Sequence, residues 1–318
     1  MRRAGNLYLK IAEMENLRLA FWKAQKGKSS RPDVISFRER LEEELLDLRH
    51  GLLEGDVSIG DYRYFTVHDP KERVICAASF RERVLHHAVM NVCEPVFERY
   101  QIYDSYACRK GKGLDVCLKR MQEFCRRYNW YLKLDIHKYF DSIDHCILKE
   151  LLAHHFKEHA LLELFGRIID SYDVVENRGI PIGNLTSQHF ANMYMAVFDH
   201  QAKDAWRLPG YVRYMDDFAF FYNDRGETPQ WLDMSRRFLE ERLGLELNEP
   251  QSNSTSRGLP AFSYRVYGCR LRLSLKAKRR FKKSIDEAVA NGETQRIRPL
   301  LAFIDRAEAE GFKSRIFG

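Results

Sequence analysis

Apolar and polar residues alternate in several short stretches that are rich in β-branched and aromatic side chains. Alternation with a period of two is typical of strands with one buried face. It predicts strands or hairpins at 61–80, 130–136, 211–222 and 264–273. In the first of these, Asp69-Pro70 marks the turn.

Apolar residues at helical spacing separate these strands. They predict helices at 37–52, 81–98, 146–172, 185–206 and 237–247, with a basic helical region from Ser274 onward. The Gly/Pro-rich stretch at 179–184 predicts a loop. Because the helices and strands interleave without regular βαβ spacing, the expected fold class is α+β.

Length and composition favour a folded protein of two or three lobes. The chain has 318 residues, of which 45% are apolar. No apolar run is long enough for a membrane span, and Lys10, Glu13 and Glu15 interrupt the N-terminal segment, so we expect a cytoplasmic protein without membrane contact. The seven cysteines form no CxxC pair, which argues against a disulfide framework or a zinc site.

Charge is unevenly distributed along the chain. Residues 1–31 carry a net charge of +6 and residues 270–318 a net charge of +7, while the whole chain carries +7. The central part is therefore acidic. Basic ends suit a polyanion and an acidic centre suits divalent cations, although a solvated charged surface is the alternative for any single charge run.

Two adjacent carboxylates, Asp216 and Asp217, lie in the middle of the apolar hairpin YVRYMDDFAFFY. Adjacent carboxylates repel, and a surface turn is the ordinary explanation for such a pair. A third carboxylate, Asp135, ends the alternating strand at 130–136. Strands that bring these oxygens to one end of a sheet would form a site for Mg²⁺, which prefers oxygen ligands.

The motif Tyr214-Met215-Asp216-Asp217 resembles the YxDD signature of reverse transcriptases. Asp135, the loop at 179–188 and the hairpin at 264–273 stand in the matching order around it. The resemblance implies a right-hand polymerase with fingers, palm and small helical thumb. It would divide the chain into an N-terminal extension and fingers (1–130), a palm (131–270) and a basic helical thumb (271–318).

The same resemblance implies an RNA-directed DNA polymerase that works by two-metal nucleotidyl transfer. Its Mg²⁺ ligands would be the catalytic residues Asp135, Asp216 and Asp217, assisted by the backbone carbonyl of Ile136. The substrates would be deoxynucleoside triphosphates on a template RNA, and the product would be cDNA.

Further nucleotide contacts follow from the resemblance. Arg73, with Lys71 as its neighbour, falls where related enzymes pack a fingers residue over the incoming nucleotide. Phe140, five residues after Asp135, would clash with a 2′-hydroxyl and select deoxynucleotides, unless it is simply a core residue.

The loop Gly179-Ile180-Pro181-Ile182-Gly183 is similar to that of reverse transcriptases from diversity-generating retroelements, as is IYDSYACRKGKG at 102–113. Group II intron and retron enzymes typically have Gln where Ile182 stands. That likeness implies a polymerase that copies a template-repeat RNA with errors at adenines, together with a basic accessory variability protein as partner. Ile182, beside Gly183 in the nucleotide site, would loosen selection because Ile can only pack where Gln can hydrogen-bond. A loop residue without a role in accuracy is the alternative.

The basic run KAKRRFKK would grip duplex phosphates from the thumb. Its cations are Lys276, Lys278, Arg279, Arg280, Lys282 and Lys283. One departure from the family concerns the Lys that similar enzymes carry shortly after the strand at 245–248, where this chain has Asn248-Glu249-Pro250. A retron or phage-defence reverse transcriptase and a non-catalytic RNA-binding scaffold remain alternative functions.

Overall fold

In the computed structural model, which describes residues 3–68, 72–293, 295, 297–309, 312 and 314, helices and strands interleave. The helices are α1 (Tyr8–Ile11), α2 (Met14–Ala24), α3 (Pro32–Glu39), α4 (Leu41–Glu54), α5 (Phe80–Tyr100), α6 (Leu114–Arg127), α7 (Tyr139–Ser142), α8 (His145–His155), α9 (His159–Asp170), α10 (Leu185–His200), α11 (Thr228–Leu243), α12 (Leu275–Ala290) and α13 (Ile297–Ile304). A π-helical turn (Gln201–Ala205) and two 3-10 turns (Arg225–Glu227 and Thr255–Arg257) complete them.

The strands form three antiparallel sheets. They are β1 (Tyr62–His68), β2 (Glu72–Ala78), β3 (Trp130–Asp135), β4 (Gly210–Tyr214), β5 (Asp217–Tyr222), β6 (Gln251–Ser254), β7 (Leu259–Ala261), β8 (Tyr264–Val266) and β9 (Leu271–Leu273). β1 pairs with β2, the central sheet has the order β4-β5-β3-β6, and β7-β8-β9 form a meander.

The chain divides into two units, each made of several segments. The first contains Met1–Tyr103, Ile136–Gln201 and Arg236–Leu247, and the second contains Asp104–Asp135, Ala202–Ser235 and Asn248–Gly318. No helix within the described part of the chain has the length and apolar content that crossing a membrane requires.

The first unit is built around packed helices and an aromatic cluster. The rings of Phe97, Phe156, Phe165 and Phe190 lie with centroids 5.1–6.2 Å apart. Side-chain caps fix where helices begin: Ser79 accepts from the Glu82 amide at α5, and Asp144 accepts from two amides at α8.

The second unit buries α6 against one face of the central sheet. Phe124 of α6 packs its ring 5.2 Å from that of Phe221 in β5, and both belong to one buried cluster with the meander and α12. α12 contributes Ala277, Phe281 and Ile285 to this cluster, and Ala288 continues the buried stripe along the helix. Burying such a stripe on one side leaves the opposite side of α12 for its charged residues.

The antiparallel sheets and the helices between their strands support the predicted α+β class. The hairpins predicted at 61–80, 211–222 and 264–273 are confirmed. The turn Asp69-Pro70 lies outside the described residues. The single helices predicted at 37–52 and 146–172 are wrong, because each is two helices. Arg40 leaves helical geometry at φ −116°, and extended backbone at Phe156 carries its ring into the aromatic cluster. The helices α1, α2 and α6 were not predicted.

A pair of glycine substitutions tests the packing of the central sheet. An added Cβ at Gly210 would lie 2.8 Å from the Phe221 Cβ and 2.9 Å from the Tyr128 ring, whereas at Gly166 it would meet only the Lys149 Cε at 3.9 Å. We expect Gly210→Ala to lower the free energy of unfolding by about 2 kcal/mol or more. Gly166→Ala, in the middle of α9, should raise it by up to about 1 kcal/mol. Urea unfolding measures both, and equal effects would contradict the packing described.

Candidate active site

The antiparallel pairing of β3 with β5 places Asp135 directly opposite Asp217. Directly opposed residues in such a ladder have Cα atoms about 4.5–5.5 Å apart and side chains on the same face of the sheet. Both carboxylates belong to the second unit. The register therefore brings together two acidic residues that are 82 positions apart in the sequence.

Asp216 lies in the turn that joins β4 to β5. Tyr214 pairs with Asp217, so Met215 and Asp216 are the two central residues of a tight hairpin. Met215 has φ of +61°, which a non-glycine residue adopts at an energetic cost. Positive φ at the first central position is the geometry of a type II′ turn, which matches the twist of the flanking strands.

A buried arginine fixes this turn from below. Arg213 is 0% exposed, and its Nη1 donates a hydrogen bond to the Met215 carbonyl over 2.9 Å. The Arg213 backbone is also held, since its amide donates to the Asp104 carbonyl and its carbonyl accepts from the Tyr106 amide. Because Arg213 is held at both its backbone and its side chain, it fixes the turn and keeps Met215 in its strained conformation.

Lys133 supplies the positive charge beside the carboxylates. It precedes Asp135 by two residues in β3, so both side chains point to the same face of the sheet. Its Nζ lies 3.1 Å from Asp217 Oδ2, and the two side chains are only 18% and 20% exposed. In a site of this depth the ion pair is screened much less than one on the surface.

Asn248 holds Asp135 through two hydrogen bonds. The Asn248 amide donates to the Asp135 carbonyl over 2.8 Å, and Nδ2 donates to Asp135 Oδ2 over 2.8 Å. Asn248 lies in the segment where similar enzymes were expected to carry a Lys that this chain lacks. The side chain that stands there therefore orients a carboxylate instead of providing a cation.

The pKa of Asp217 is raised to about 6, first by burial and then by the neighbouring charges of Asp135 and Asp216, while Lys133 opposes the shift. Asp217 Oδ1 is buried and has no hydrogen-bond partner among the described residues. A buried, unpartnered carboxylate oxygen is costly unless a cation or donor satisfies it.

The donor set suits a hard divalent cation, because all three side chains offer carboxylate oxygen. The side chains are nevertheless not arranged as a finished chelate. Across the described residues, no group of three or more His, Cys, Asp or Glu side chains is placed to hold a metal ion. Asp217 is turned to Lys133 and Asp135 to Asn248, so these contacts have to give way before an ion can be held.

The other predicted nucleotide contacts lie in the first unit, as far as they are described. The Ile182 carbonyl accepts from the Cys76 amide of β2 over 3.2 Å, which seats the loop against the hairpin that contains Arg73. Gly183 has φ of +112°, and an added Cβ would lie 3.1 Å from Ile75 Cγ2, so the close approach requires glycine. Lys71 and the side chain of Arg73 lie outside the described residues.

Phe140 is half-buried in α7, where its ring packs edge-on to Tyr139 at 5.6 Å and its carbonyl accepts from the Ile180 amide. Ile136 is 2% exposed and forms a bridge with Leu247. The roles of both toward a nucleotide or an ion stay predictions.

The predicted thumb cations lie on α12 around its buried stripe. Lys276, Arg279, Lys282 and Lys283 are exposed, while Lys278 and Arg280 are half-buried. The Lys278 ammonium lies 5.9 Å from the Phe312 ring centre, and Arg280 donates to Ser263 Oγ over 3.4 Å. Four of the six cations are thus directed to solvent.

Comparison with known proteins agrees with this geometry. Residues 68–266 match the family described as reverse transcriptase (RNA-dependent DNA polymerase), and the chain belongs to that family. It is 22% identical over 299 residues to the group II intron-encoded protein LtrA of Lactococcus lactis subsp. cremoris, a match that covers 72% of this chain and 49% of LtrA. It is also 22% identical to protein YkfC of Escherichia coli, with 66% of this chain and 67% of YkfC covered.

The chain spans half or less of the length of most of the curated relatives that it matches. The match to a 91 kDa protein in the cob intron of Schizosaccharomyces pombe, at 25% identity, covers 45% of this chain and 17% of the relative. Among solved structures, apo telomerase from Candida Tropicalis superposes with a TM-score of 0.52 at 13% identity, covering 74% of this chain and 53% of the telomerase chain. The α+β fold is thus that of a right-hand polymerase, as predicted.

Three residues of the site were not predicted from the sequence. Lys133 could have been predicted, because a residue two positions before Asp135 in a strand must lie on the same face of the sheet. Asn248 and Arg213 could not, since their contacts depend on how distant segments pair.

The raised pKa of Asp217 gives a prediction with a definite sign. In an unfolded chain Asp titrates near 3.9, so the fold binds this proton more tightly and loses stability as the pH rises from about 4 to about 6. Asp217→Asn removes the ionised form. In EDTA it should raise the free energy of unfolding by about 1 to 3 kcal/mol at pH 7.5 and by little at pH 4.

Urea unfolding at both pH values measures the difference, with Asp286→Asn on the exposed side of α12 as the control. A gain of equal size at pH 4 and pH 7.5, or a loss at pH 7.5, would contradict the burial of an ionised carboxylate at this site.

Proposed function

We propose that the chain is an RNA-directed DNA polymerase, which extends a DNA primer on an RNA template from deoxynucleoside triphosphates. One observation carries the proposal: Asp135 lies opposite Asp217, with Asp216 in the adjoining strained turn, in a chain of the reverse transcriptase family. A scaffold that only binds RNA has no need for three carboxylates whose mutual repulsion weakens the fold.

Asp135, Asp216 and Asp217, with the carbonyl of Ile136, are the proposed ligands of Mg²⁺. When bound there, the ions supply positive charge for the attacking and leaving oxygens of an in-line phosphoryl transfer. Without the ions, Lys133 balances the charge of Asp217, and Asn248 binds one oxygen of Asp135. Both contacts would be released when an ion binds.

The first unit provides the proposed nucleotide contacts. Arg73 and Lys71 would pair with the phosphates, and Phe140 would exclude a 2′-hydroxyl by its bulk. Support for Ile182 and Gly183 comes from their close contacts with β2, which fix the position of this loop against the β1–β2 hairpin. Rigid placement of such contacts is what orients a substrate for reaction.

The basic side of α12 is the proposed grip on duplex phosphates. Its exposed cations would provide salt-sensitive, sequence-independent affinity; they are Lys276, Arg279, Lys282 and Lys283. Lys278 and Arg280 are half-buried and lie closer to the buried side of the helix. We assign residues 1–130 to an N-terminal extension and fingers, 131–270 to a palm and 271–318 to a thumb.

Within the family we propose the diversity-generating retroelement type, which copies a template-repeat RNA with errors at adenines for mutagenic retrohoming. Ile182 is the supporting residue, since an apolar side chain cannot hydrogen-bond to a nascent pair. A basic accessory variability protein is the proposed partner. A retron or phage-defence enzyme is the second candidate, and a template-repeat and variable-repeat pair in the neighbouring genes separates the two.

The catalytic assignment predicts that Asp216→Asn abolishes primer extension. Extension of a DNA primer on an RNA template in Mg²⁺ should fall by about 10³-fold or more, because the charge that would hold the ion is lost. Asp56→Asn, at an exposed position outside the carboxylate site and α12, should extend primers as the parent does. An Asp216→Asn protein that binds RNA and extends primers normally would refute the assignment.

The retroelement type predicts an uneven error spectrum. Sequencing cDNA copied from a template with all four bases should show errors concentrated at adenines. Ile182→Gln should lower those errors several-fold, while Val175→Gln, at an exposed loop position of the same unit, should leave them unchanged. An even error rate across the four template bases would count against this type.

A further inference from the structure

A second cleft opens in the unit that contains the carboxylates, at the far end of β3. It has a volume of about 630 Å³. Its walls are the first turn of α11, the 3-10 turn before it and the edge strand β6. The side chains that matter are Trp130, Arg225, Thr228, Ser252, Ser254 and Arg257.

The cleft is basic because its two arginines have no carboxylate partner within the described part of the chain. Acidic residues stand nearby but are engaged elsewhere. Asp224 Oδ1 accepts from the Gly226 amide over 2.9 Å, and Glu227 Oε2 accepts from the Trp231 indole over 3.1 Å. The residues of the described chain that line the cleft include no Asp or Glu. Arg225 and Arg257 therefore present guanidinium groups that phosphates can pair with, while Asp224 and Glu227 keep their negative charge outside the lining of the cleft.

Contacts hold the side chain of Arg225 and the backbone of Arg257. The guanidinium carbon of Arg225 lies 5.4 Å from the centre of the Trp130 ring, a cation–π contact that orients the side chain. The backbone carbonyl of Arg257 accepts from Arg265 Nη1 over 2.9 Å, which fixes the second turn. Less side-chain freedom is then lost when the Arg225 guanidinium binds a ligand.

The remaining side chains offer hydroxyl and aromatic contacts. Ser252, Ser254 and Thr228 can donate to phosphate or ribose oxygens, and Thr228 already contacts the Tyr222 hydroxyl at 2.7 Å. Trp130 is half-buried, with part of its ring facing the cleft. Arginine forks, hydroxyls and an aromatic ring are together what single-stranded RNA requires, since phosphates, 2′-hydroxyls and bases are each matched.

We propose that this cleft is an RNA-binding site separate from the carboxylates, which anchors a single-stranded part of the template RNA. The inference rests on the proposed function for the identity of the RNA. Trp130 and Asp135 begin and end the same strand, so the two sites lie about 17 Å apart along β3. An RNA strand bound at Trp130 would leave the end of β3 that contains Asp135 free for the primer.

The test compares full-length Arg225→Gln, Arg257→Gln and the double variant with the parent. Arg236→Gln, an exposed arginine further along α11, is the matched control. Binding of a labelled 40-nucleotide single-stranded RNA is followed over a range of salt concentrations. Thermal unfolding verifies that each protein is folded, and extension is measured on a short template–primer without single-stranded RNA beyond the templating bases.

The double variant should bind the 40-nucleotide RNA about 10-fold more weakly at 0.1 M salt. Its salt slope should fall by about 1.4, because each lost contact to a single strand removes about 0.7. Extension on the short template–primer should stay at the parent level.

RNA affinity equal to the parent, or an equal loss in Arg236→Gln, would overturn the inference. The same holds if polyglutamate binds the parent but not the double variant while RNA binding is unchanged, because the cleft would then serve an acidic protein. Failure of the parent to extend any primer would instead overturn the proposed function, and the RNA-binding comparison would still be decisive for the cleft.

Discussion

The pairing of β3 with β5 is the constraint on which the site depends. A ladder shifted by one residue would move Asp135 to the opposite face of the sheet from Asp217. Buried residues of both strands, Tyr131 of β3 and Ala219 and Phe221 of β5, enforce the register, because each of them has to face the core that contains α6. The same contacts that stabilise the second unit therefore also place the carboxylates.

Charge balance is the second constraint. Three carboxylates near one end of a sheet repel one another, and the pKa of Asp217 is raised first by burial and then by this repulsion. Lys133 offsets part of the cost through its contact with Asp217, and Asn248 satisfies one oxygen of Asp135. The buried oxygen of Asp217 that lacks a partner in the described chain is the position that we propose for a cation. On that proposal, stability is lower there because the site is kept for an ion, as is common at functional sites.

Much of this arrangement could be predicted from the sequence, because β3 and the β4–β5 hairpin alternate clearly and the YMDD turn lies between them. The helices were less predictable. The periodicity at 146–172 continues through Phe156, and only the burial of that ring in the aromatic cluster breaks the helix. The environment of the carboxylates was not predictable either, since Asn248 reaches Asp135 across 113 residues and Arg213 is an arginine at 0% exposure. Such contacts come from tertiary packing, on which local patterns carry no information.

The central claim is that Asp135 and Asp217 face one cation site which Lys133 occupies until an ion arrives. Crystals of the full chain soaked in Mn²⁺ test it most directly, because anomalous scattering locates the ion without assumptions about activity. We expect an anomalous peak about 2 Å from carboxylate oxygens of Asp135 and Asp217, with the Lys133 ammonium moved away from Asp217. A peak elsewhere, or none while Lys133 keeps its contact with Asp217 at saturating Mn²⁺, would contradict it.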